Sequence, residues 1–387
     1  MKTPVRYTLW IPSLGSLLLL LAGCNDPDPE TPPQLSLHFN EEFTIGFVTD
    51  SVEEFQLSHP SELRTDAEGH ILIADQQSMD IKVFNAEGEF LHAFGGSGEG
   101  PGESRTITSM EINNQNELVI YDGMNARFTR FSTTADLLSV DPANGDLSVA
   151  PHHFQQIDGG EYLFLRKLRD TGAAATAEEQ EIYSSVLHLH DETLLNRLQS
   201  FGNSTSLMES DADFVQHYAG LNPGHFWPAA NGDIWYVPGI YNGRLFRFKK
   251  SSDRWEKSAE IEGNRVQSDA VDIDSNDDGA IQIMVYAPRQ ETYIGIVNSE
   301  SLGVFTLADD RLIHFSAQLD GSERRLQIEV FNTNGELVGV ARLDAFTYDA
   351  TDNRASVMSI WKDKEDRFYL IDRREEPIVR VGKLEGL

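Results

Sequence analysis

An all-β fold, a six-bladed β-propeller of four-stranded antiparallel blades, is what the sequence predicts, and three observations predict it. Short β-rich runs separated by turn residues recur along most of the 387-residue chain, the spacing of an all-β architecture. One unit echoes another nearly letter for letter: Val83-Phe84-Asn85-Ala86-Glu87-Gly88-Glu89-Phe90-Leu91 returns as Val330-Phe331-Asn332-Thr333-Asn334-Gly335-Glu336-Leu337-Val338, and such echoes mean structural repeats. The last unit is one strand short, while an unpartnered segment, Phe43-Thr44-Ile45-Gly46-Phe47-Val48, precedes the first. Used as the missing outer strand, that segment closes the ring and removes its open edges.

In chain order, residues 1–23 form a secretion signal. Lys2 and Arg6 precede an apolar run that ends in five leucines, Leu17 to Leu21, just before the small residues Ala22 and Gly23. The run is too short, and Pro12 interrupts it too early, for a membrane-spanning helix of about 20 residues. Leu21-Ala22-Gly23-Cys24 resembles the lipobox of bacterial lipoproteins, in which the cysteine sulfur is acylated, with palmitate, and becomes the first mature residue. Cys24 is the only cysteine, so it has no internal disulfide partner, and a lipid attachment point explains it best. Residues 24–34 are polar and proline-rich, a flexible tether. With Asn25 after the cysteine, the sorting rule of such lipoproteins implies the outer membrane of a bacterial cell envelope. Asp26, Asp28 and Glu30 also resemble surface-export signals, so either leaflet is open.

Residues 35–387 are expected to form a single propeller domain. The first unit runs through Glu62 to Thr65, a turn at Asp66-Ala67-Glu68-Gly69, His70 to Asp75, Ile81 to Phe84 and Phe90 to Phe94. Five further units follow, beginning near Ile107, His153, Phe226, Val304 and Val357. The stretch 270–298 holds two more β-rich runs, Ile281 to Val285 and Tyr293 to Val297, and a seven-bladed ring is the alternative. Acidic residues outnumber basic ones 62 to 31, which speaks against a nucleic-acid partner.

The string Asp66-Ala67-Glu68-Gly69-His70-Ile71-Leu72-Ile73-Ala74-Asp75, followed by Ile81-Lys82-Val83-Phe84 and the loop Gly95-Gly96-Ser97-Gly98-Glu99-Gly100-Pro101-Gly102-Glu103, resembles the NHL-repeat family. More narrowly, the chain is similar to the six-bladed propeller lipoproteins of Gram-negative bacteria, most of which have no assigned activity. The resemblance implies a propeller over most of the mature chain and no particular chemistry.

In a blade, the turns between first and second strands and between third and fourth strands lie on one face, and here they are short. The second-to-third loops and the blade-to-blade crossings lie on the other, which carries every long insertion: 169–183, 203–224 and 264–301. Insertions gather on the binding face of repeat proteins, so the long-looped face is the expected functional surface.

Several residues are chemical candidates. His59, His153 and His225 each start an inner strand. In the amidating lyases, which resemble this fold, histidines at such positions bind zinc, and three imidazoles leave a coordination position for water or substrate. Asp274-Ser275-Asn276-Asp277-Asp278-Gly279 imitates the start of a calcium loop, with Asp274, Asn276 and Asp278 as ligands, but Val285 stands where a bidentate glutamate belongs. His188 and His190 share a strand face far from the axis, where surface packing is expected. The glycine-rich loop 95–102 lacks the Lys-Ser/Thr of a phosphate loop and suits a tight crossing between blades. Trp227, Trp235, Tyr236 and Tyr241 cluster in the fourth unit; Trp227 and Tyr241, with Arg105 and Arg373, are the expected ligand contacts, while Trp235 fits the packing between blades.

No Gly-x-Ser-x-Gly elbow appears, and lipidation leaves no free thiol for nucleophilic catalysis. No motif requires a cofactor; zinc or calcium is the one that could be held. The expected function is therefore a lipid-anchored binding or scaffolding module for a peptide, glycan or protein partner, and the alternative is a metal-dependent lyase or hydrolase using the channel histidines.

Overall fold

A strand that is apolar at consecutive positions must be covered on both faces. The second strand of each repeat is of this kind: Ile71–Asp75 and Phe368–Asp372 are buried at every position. Sheets stacked face to face around an axis meet that demand. The computed structural model describes residues 31–46, 56–143, 151–166, 176–204, 207, 213–219, 221–264, 270–272, 281–285, 291–350 and 357–387. The chain divides between Thr31 and Pro32, and the second unit is the propeller.

After β1 (His38–Ile45), blade 1 comprises β2 (Pro60–Thr65), β3 (Ile71–Asp75), β4 (Asp80–Phe84) and β5 (Phe90–Gly95). Blade 2 is β6 (Ile107–Ile112), β7 (Glu117–Asp122), β8 (Arg127–Ser132) and β9 (Leu137–Pro142). Blade 3 is β10 (Pro151–Gln156), β11 (Tyr162–Arg166), β12 (Ser185–His190) and β13 (Arg197–Asn203), with helix α1 (Ala177–Ser184) before β12. Helix α2 (Asp213–Ala219) precedes blade 4, which is β14 (His225–Pro228), β15 (Ile234–Val237), β16 (Arg244–Ser251) and β17 (Arg254–Glu262).

The insertion that follows holds β18 (Ala270–Asp272), β19 (Ile281–Val285) and β20 (Glu291–Val297), a three-stranded sheet of order β18-β20-β19. Blade 5 is β21 (Ser299–Thr306), β22 (Leu312–Asp320), β23 (Glu323–Phe331) and β24 (Leu337–Asp349). Blade 6 has β25 (Val357–Lys362), β26 (Phe368–Asp372) and β27 (Ile378–Glu385) from the C-terminus, and β1 as its outer strand. The antiparallel register runs from His38 opposite Glu385 to Ile45 opposite Val379. Closure by the N-terminal strand is thus as expected. A seventh blade is not formed, because the inner strands of blades 4 and 5 touch directly: His225 Nε2 donates to Ser301 O at 3.0 Å and Trp227 Nε1 to Thr306 Oγ1 at 3.1 Å.

The core is divided among the six interfaces. Along β3, Ile71 and Ile73 pack with Tyr369 and Val381 of blade 6, while Leu72 and Ala74 pack with Met110 and Leu118 of blade 2. This is the period-two alternation of a strand with both faces covered. Separate clusters join blades 2 and 3 around Phe128 and Phe154, 3 and 4 around Leu187 and Phe246, 4 and 5 around Tyr241 and Val304, and 5 and 6 around Phe315 and Phe368. Among the described residues no helix is long and apolar enough to cross a membrane.

Local chemistry explains the repeated letters. Asn85 Oδ1 accepts from the amides of Glu87 and Glu89, and Asn332 Oδ1 accepts from those of Asn334 and Glu336, so each Asn writes its own turn. Gly88 and Gly335 follow at φ +84° and +86°, and a Cβ on either would collide with the neighbouring blade, at Phe43 and Ile261. At the other end of the blade, an aspartate closes the second strand. Asp75 accepts from the amides of Ser58, His59 and Gln77, and Asp122 from those of Arg105, Thr106, Met124 and Asn125. Each such carboxylate fastens the incoming crossing to its own blade.

Asp122 is fully buried, so its loss strands several amides. Asp122→Ala should destabilise the fold by about 3 kcal/mol in urea unfolding, while Glu87→Ala, at an exposed turn position, should change stability by less than about 0.5 kcal/mol. Equal effects would contradict the assigned role.

Candidate functional site

The register of the inner strands decides which side chains meet at the axis. Each first-to-second turn begins at an equivalent residue, Asp66, Asn113, Ile157, Ala229, Leu307 and Asp363, whose amide bonds to the carbonyl four residues on. Two positions before these stand Arg64, Glu111, Gln155, Trp227, Phe305 and Trp361, one from each blade. Four positions before stand Glu62, Ser109, His153, His225, Gly303 and Ser359. Most of both sets line a small axial cavity of about 60 Å3.

Arg64 is the hub of this layer. Its Nε donates to Glu111 Oε2 at 3.0 Å, Nη1 to Glu62 Oε2 at 3.0 Å, and Nη2 to His153 Nδ1 at 3.0 Å. The guanidinium also lies 4.3 Å from the Trp361 ring centroid, a cation–π contact. One side chain therefore binds blades 1, 2, 3 and 6. Trp361 meets Trp227 edge-on at 5.5 Å, and Trp227 meets Phe305 at 5.0 Å. Together these side chains plug the channel.

Burial sets the protonation of the plug. It pushes the Glu111 carboxyl up to about 7 against the opposing charge of Arg64, and raises Glu62 in the same way. His153 is held well below the usual imidazole range by burial and then by Arg64, which keeps it neutral as an acceptor for that guanidinium. Burial brings His225 down to about 4, with its bond to Ser301 O opposing.

The expected metal ligands are not brought together. His153 and His225 share a level of the channel, but His59 stands seven residues before its turn, not four, about 10 Å further along the axis. There the Arg373 guanidinium lies against it, 3.3 Å from each ring nitrogen; burial and then Arg373 lower its pKa. Among the described residues the one close trio of possible ligands is Asp66, Glu68 and His70. These groups are engaged in their own turn, with His70 Nδ1 at 2.9 Å from Asp66 Oδ2 and Glu68 Oε2 accepting from Asn116 Nδ2 at 2.7 Å. Asp274, Asn276 and Asp278 lie outside the described residues, as does Cys24.

The expected ligand contacts separate as well. Trp227 is half-buried at the axis. Tyr241 is fully buried between blades 4 and 5, where its hydroxyl donates to Glu329, so it packs and does not meet a ligand. Arg105 is exposed beside Glu99, and Arg373 rests on His59, both on the long-looped face. His188 and His190 are buried and not at the surface: His188 bonds to Ser200 Oγ and Ser185 O, and His190 stacks on Phe164 at 4.1 Å. The loop 95–102 does make the crossing from blade 1 to blade 2, held by Arg127 donating to the carbonyls of Glu99, Gly100 and Glu103.

A further constellation has the form of a hydrolytic relay. Ser301 Oγ lies 3.1 Å from His314 Nε2, and His314 Nδ1 lies 3.1 Å from Glu329 Oε2. All three residues are fully buried between blades 4 and 5, so no substrate reaches the hydroxyl. The relay order alone does not make a nucleophile; here it is a polar strut.

A concave site lies on the short-turned face. Successive turns there are stitched to one another: Ala67 N donates to Asn116 Oδ1, Asn114 N to Gln156 Oε1, Ala308 N to Asp366 Oδ2, and Lys364 Nζ to Ala67 O. These join blades 1–2, 2–3, 5–6 and 6–1. Among the described residues no bond joins the first-to-second turn of blade 4 (229–232) to those of blades 3 or 5; blades 3 and 4 are joined further out, where Lys250 Nζ donates to Glu161 Oε2 and Gln199 pairs with the Trp255 backbone, and between the turns a cleft of about 770 Å3 opens. It runs from Trp227, Thr306 and Lys362 at the axis outward to Lys250 and Trp255. A second hollow of about 430 Å3 adjoins it, sharing Trp227, Asn114 and Lys362.

The protein family described as a 6-bladed beta-propeller (DUF5128) matches residues 36–212. The chain is similar in fold to a member of the DUF4221 family from Bacteroides vulgatus (TM-score 0.56, 8% identity, 92% of this chain and 100% of that one). It is likewise similar to a putative exported protein from Bacteroides fragilis (TM-score 0.53, 12% identity, 92% and 97%). At such identities the likeness shows the six-bladed fold. A comparison with curated proteins finds no match.

The depressed His225 has a consequence for stability. Unfolded, the imidazole binds its proton below about 6.5; folded, it does so only below about 4. Its contribution is therefore complete above pH 6.5 and is lost as the pH falls to 4. Between pH 7 and pH 4 the wild type should lose about 3 kcal/mol more stability than His225→Asn, read from urea midpoints. Parallel pH profiles would contradict the assignment.

Proposed function

We propose that this chain is a lipid-anchored binding module of the bacterial cell envelope, and that its ligand is a neutral glycan seated in the cleft between blades 3, 4 and 5. The observation that carries this reading is the cleft itself, which opens where, among the described residues, the first-to-second turn of blade 4 is not bonded to those of blades 3 and 5. Its size is that of an ordinary ligand site. Its lining combines the half-buried indole of Trp227 and the polar groups of Asn114, Gln156 and Thr306 with the carboxylates of Asp158 and Asp233. The two lysines are already neutralised, Lys250 by Glu161 at 3.1 Å and Lys362 by Asp366 at 2.7 Å.

An accessible indole beside amides, a hydroxyl and carboxylates suits a polyhydroxylated ring, whose CH face stacks and whose hydroxyls exchange hydrogen bonds with them. An extended peptide has less to hold it, because the cleft is bounded by turns and offers no open strand edge for β-augmentation. A metal-dependent lyase or hydrolase has less support still, because His59 stands apart from His153 and His225. The ligand is thus assigned to the face opposite the long insertions.

Ala230 is exposed in the cleft, and Leu221 is exposed on the long-looped face. On an array of neutral oligosaccharides, the detergent-solubilised full chain should capture a subset. Ala230→Arg should weaken that capture about tenfold or more, and Leu221→Glu by less than about twofold, with melting temperatures unchanged. Capture lost with Leu221→Glu and kept with Ala230→Arg would move the site to the other face; no capture by the wild type would end the glycan reading.

A further inference from the structure

The first described residues fix where the tether arrives. Pro33 O accepts from Val340 N at 2.8 Å, and Leu35 N donates to Val340 O at 2.7 Å, so residues 33–35 run alongside the start of β24. Val340 lies just beyond the turn Asn332 to Glu336, one of the short third-to-fourth turns. From there the chain enters β1 at His38, opposite Glu385, the last residue of β27. Strand β27 leaves the long-looped face at Ile378 and ends on the short-turned one, and β1 runs antiparallel to it. Both contacts give the same direction: the polypeptide comes onto the propeller at the rim of the short-turned face, between blades 5 and 6.

That rim is the face on which the cleft opens. From Cys24 the residues 25–33 span at most about 30 Å when fully extended. Blade strands of six to nine residues make the propeller about 20–30 Å deep along its axis. A lipid on Cys24 therefore keeps the short-turned rim within about 30 Å of the bilayer; the long insertions and α2 are on the opposite face of the propeller. The chain's acidic excess, 62 against 31, offers no general attraction to an anionic membrane surface, so recognition there falls to the cleft.

We infer that the cleft faces the bilayer that carries the anchor, and that its ligand is the neutral glycan of a lipid in that same leaflet. The inference rests on the glycan-binding reading above and on acylation of Cys24. A soluble envelope glycan would reach the long-looped face more readily; one rooted in the membrane meets the short turns first. The tether is then also a positioning device, since it sets the height of the cleft over the headgroups.

The test has two arms, both with the full lipidated chain, in which an introduced cysteine is the only free thiol. In the first, a fluorophore is placed at Glu87→Cys, on an exposed short-face turn, or at Leu221→Cys, and the protein is reconstituted into phosphatidylcholine vesicles holding a headgroup-labelled acceptor lipid. Energy transfer at position 87 should exceed that at 221 by about twofold or more, given the depth between the faces. Equal transfer, a reversed order, or failure of the chain to stay with the vesicles overturns the orientation.

In the second arm, the thiol of Ala230→Cys is titrated with a small methanethiosulfonate in vesicles made from the envelope lipids of the source organism. The same is done after periodate cleavage of their glycans. Modification should be about threefold slower or more with intact glycans, with no difference at Leu221→Cys. No slowing, or slowing that survives periodate, overturns the membrane-borne glycan. Because the first arm needs no ligand, a wrong orientation and a wrong ligand give different results.

Discussion

The pairing of β1 with β27 is the constraint on which the rest of the structure depends. Each blade has apolar residues on both faces, and each interface between blades has its own cluster of buried side chains. An open ring would leave two of those surfaces and two strand edges in water. Closure covers them with strands from opposite ends of the chain, and Leu37, Phe43 and Ile45 of the N-terminal segment enter the clusters on either side of blade 6. The bridge from Gln34 to Val340 carries the same segment onto blade 5. The joint that closes the ring is therefore also the point where the N-terminal segment joins the propeller.

Six similar interfaces do not make six equal ones. Around blades 5, 6, 1, 2 and 3 the short turns are laced to one another, and the Arg64 hub draws blades 6, 1, 2 and 3 to the axis with ion pairs, a neutral histidine and an indole face. Blades 4 and 5 are held from the other side, where Ser301 N donates to Gly239 O and Tyr241 N to Ser299 O, and by the Tyr241 hydroxyl donating to Glu329 at the end of the Ser301–His314–Glu329 strut of blade 5. The cleft opens on the face that those bonds leave unlaced. The break in symmetry lies in the polar bonds between first-to-second turns, while the apolar packing continues around the ring.

The strands, their order and the closure were legible in the sequence because they rest on local rules: two-residue alternation, Asn- and Gly-bearing turns, and the echo of Asn85 at Asn332. The site was less so, because it depends on register. His59, His153 and His225 look alike as residues that begin an inner strand, but counting from the turns puts His59 three residues out of line and Glu62 at the matching level. The same count would have found Arg64, Glu111, Gln155, Trp227, Phe305 and Trp361 as one layer. Tyr241 reads as a ligand aromatic in the chain, and only the packing of blade 4 on blade 5 shows it to be a core residue bonded to Glu329. The long loops direct attention to the face that carries the insertions, whereas the cleft on the opposite face is made between short turns and leaves no mark in chain length.

The most direct measurement of the central claim is backbone hydrogen exchange with and without a saturating neutral oligosaccharide captured by the full chain. The account predicts slowed exchange at the turns 157–160, 229–232 and 306–310 and at Gln155 and Trp227, with no change at 213–224. Protection confined to α2 and the long insertions, with the short turns unaffected, would contradict it.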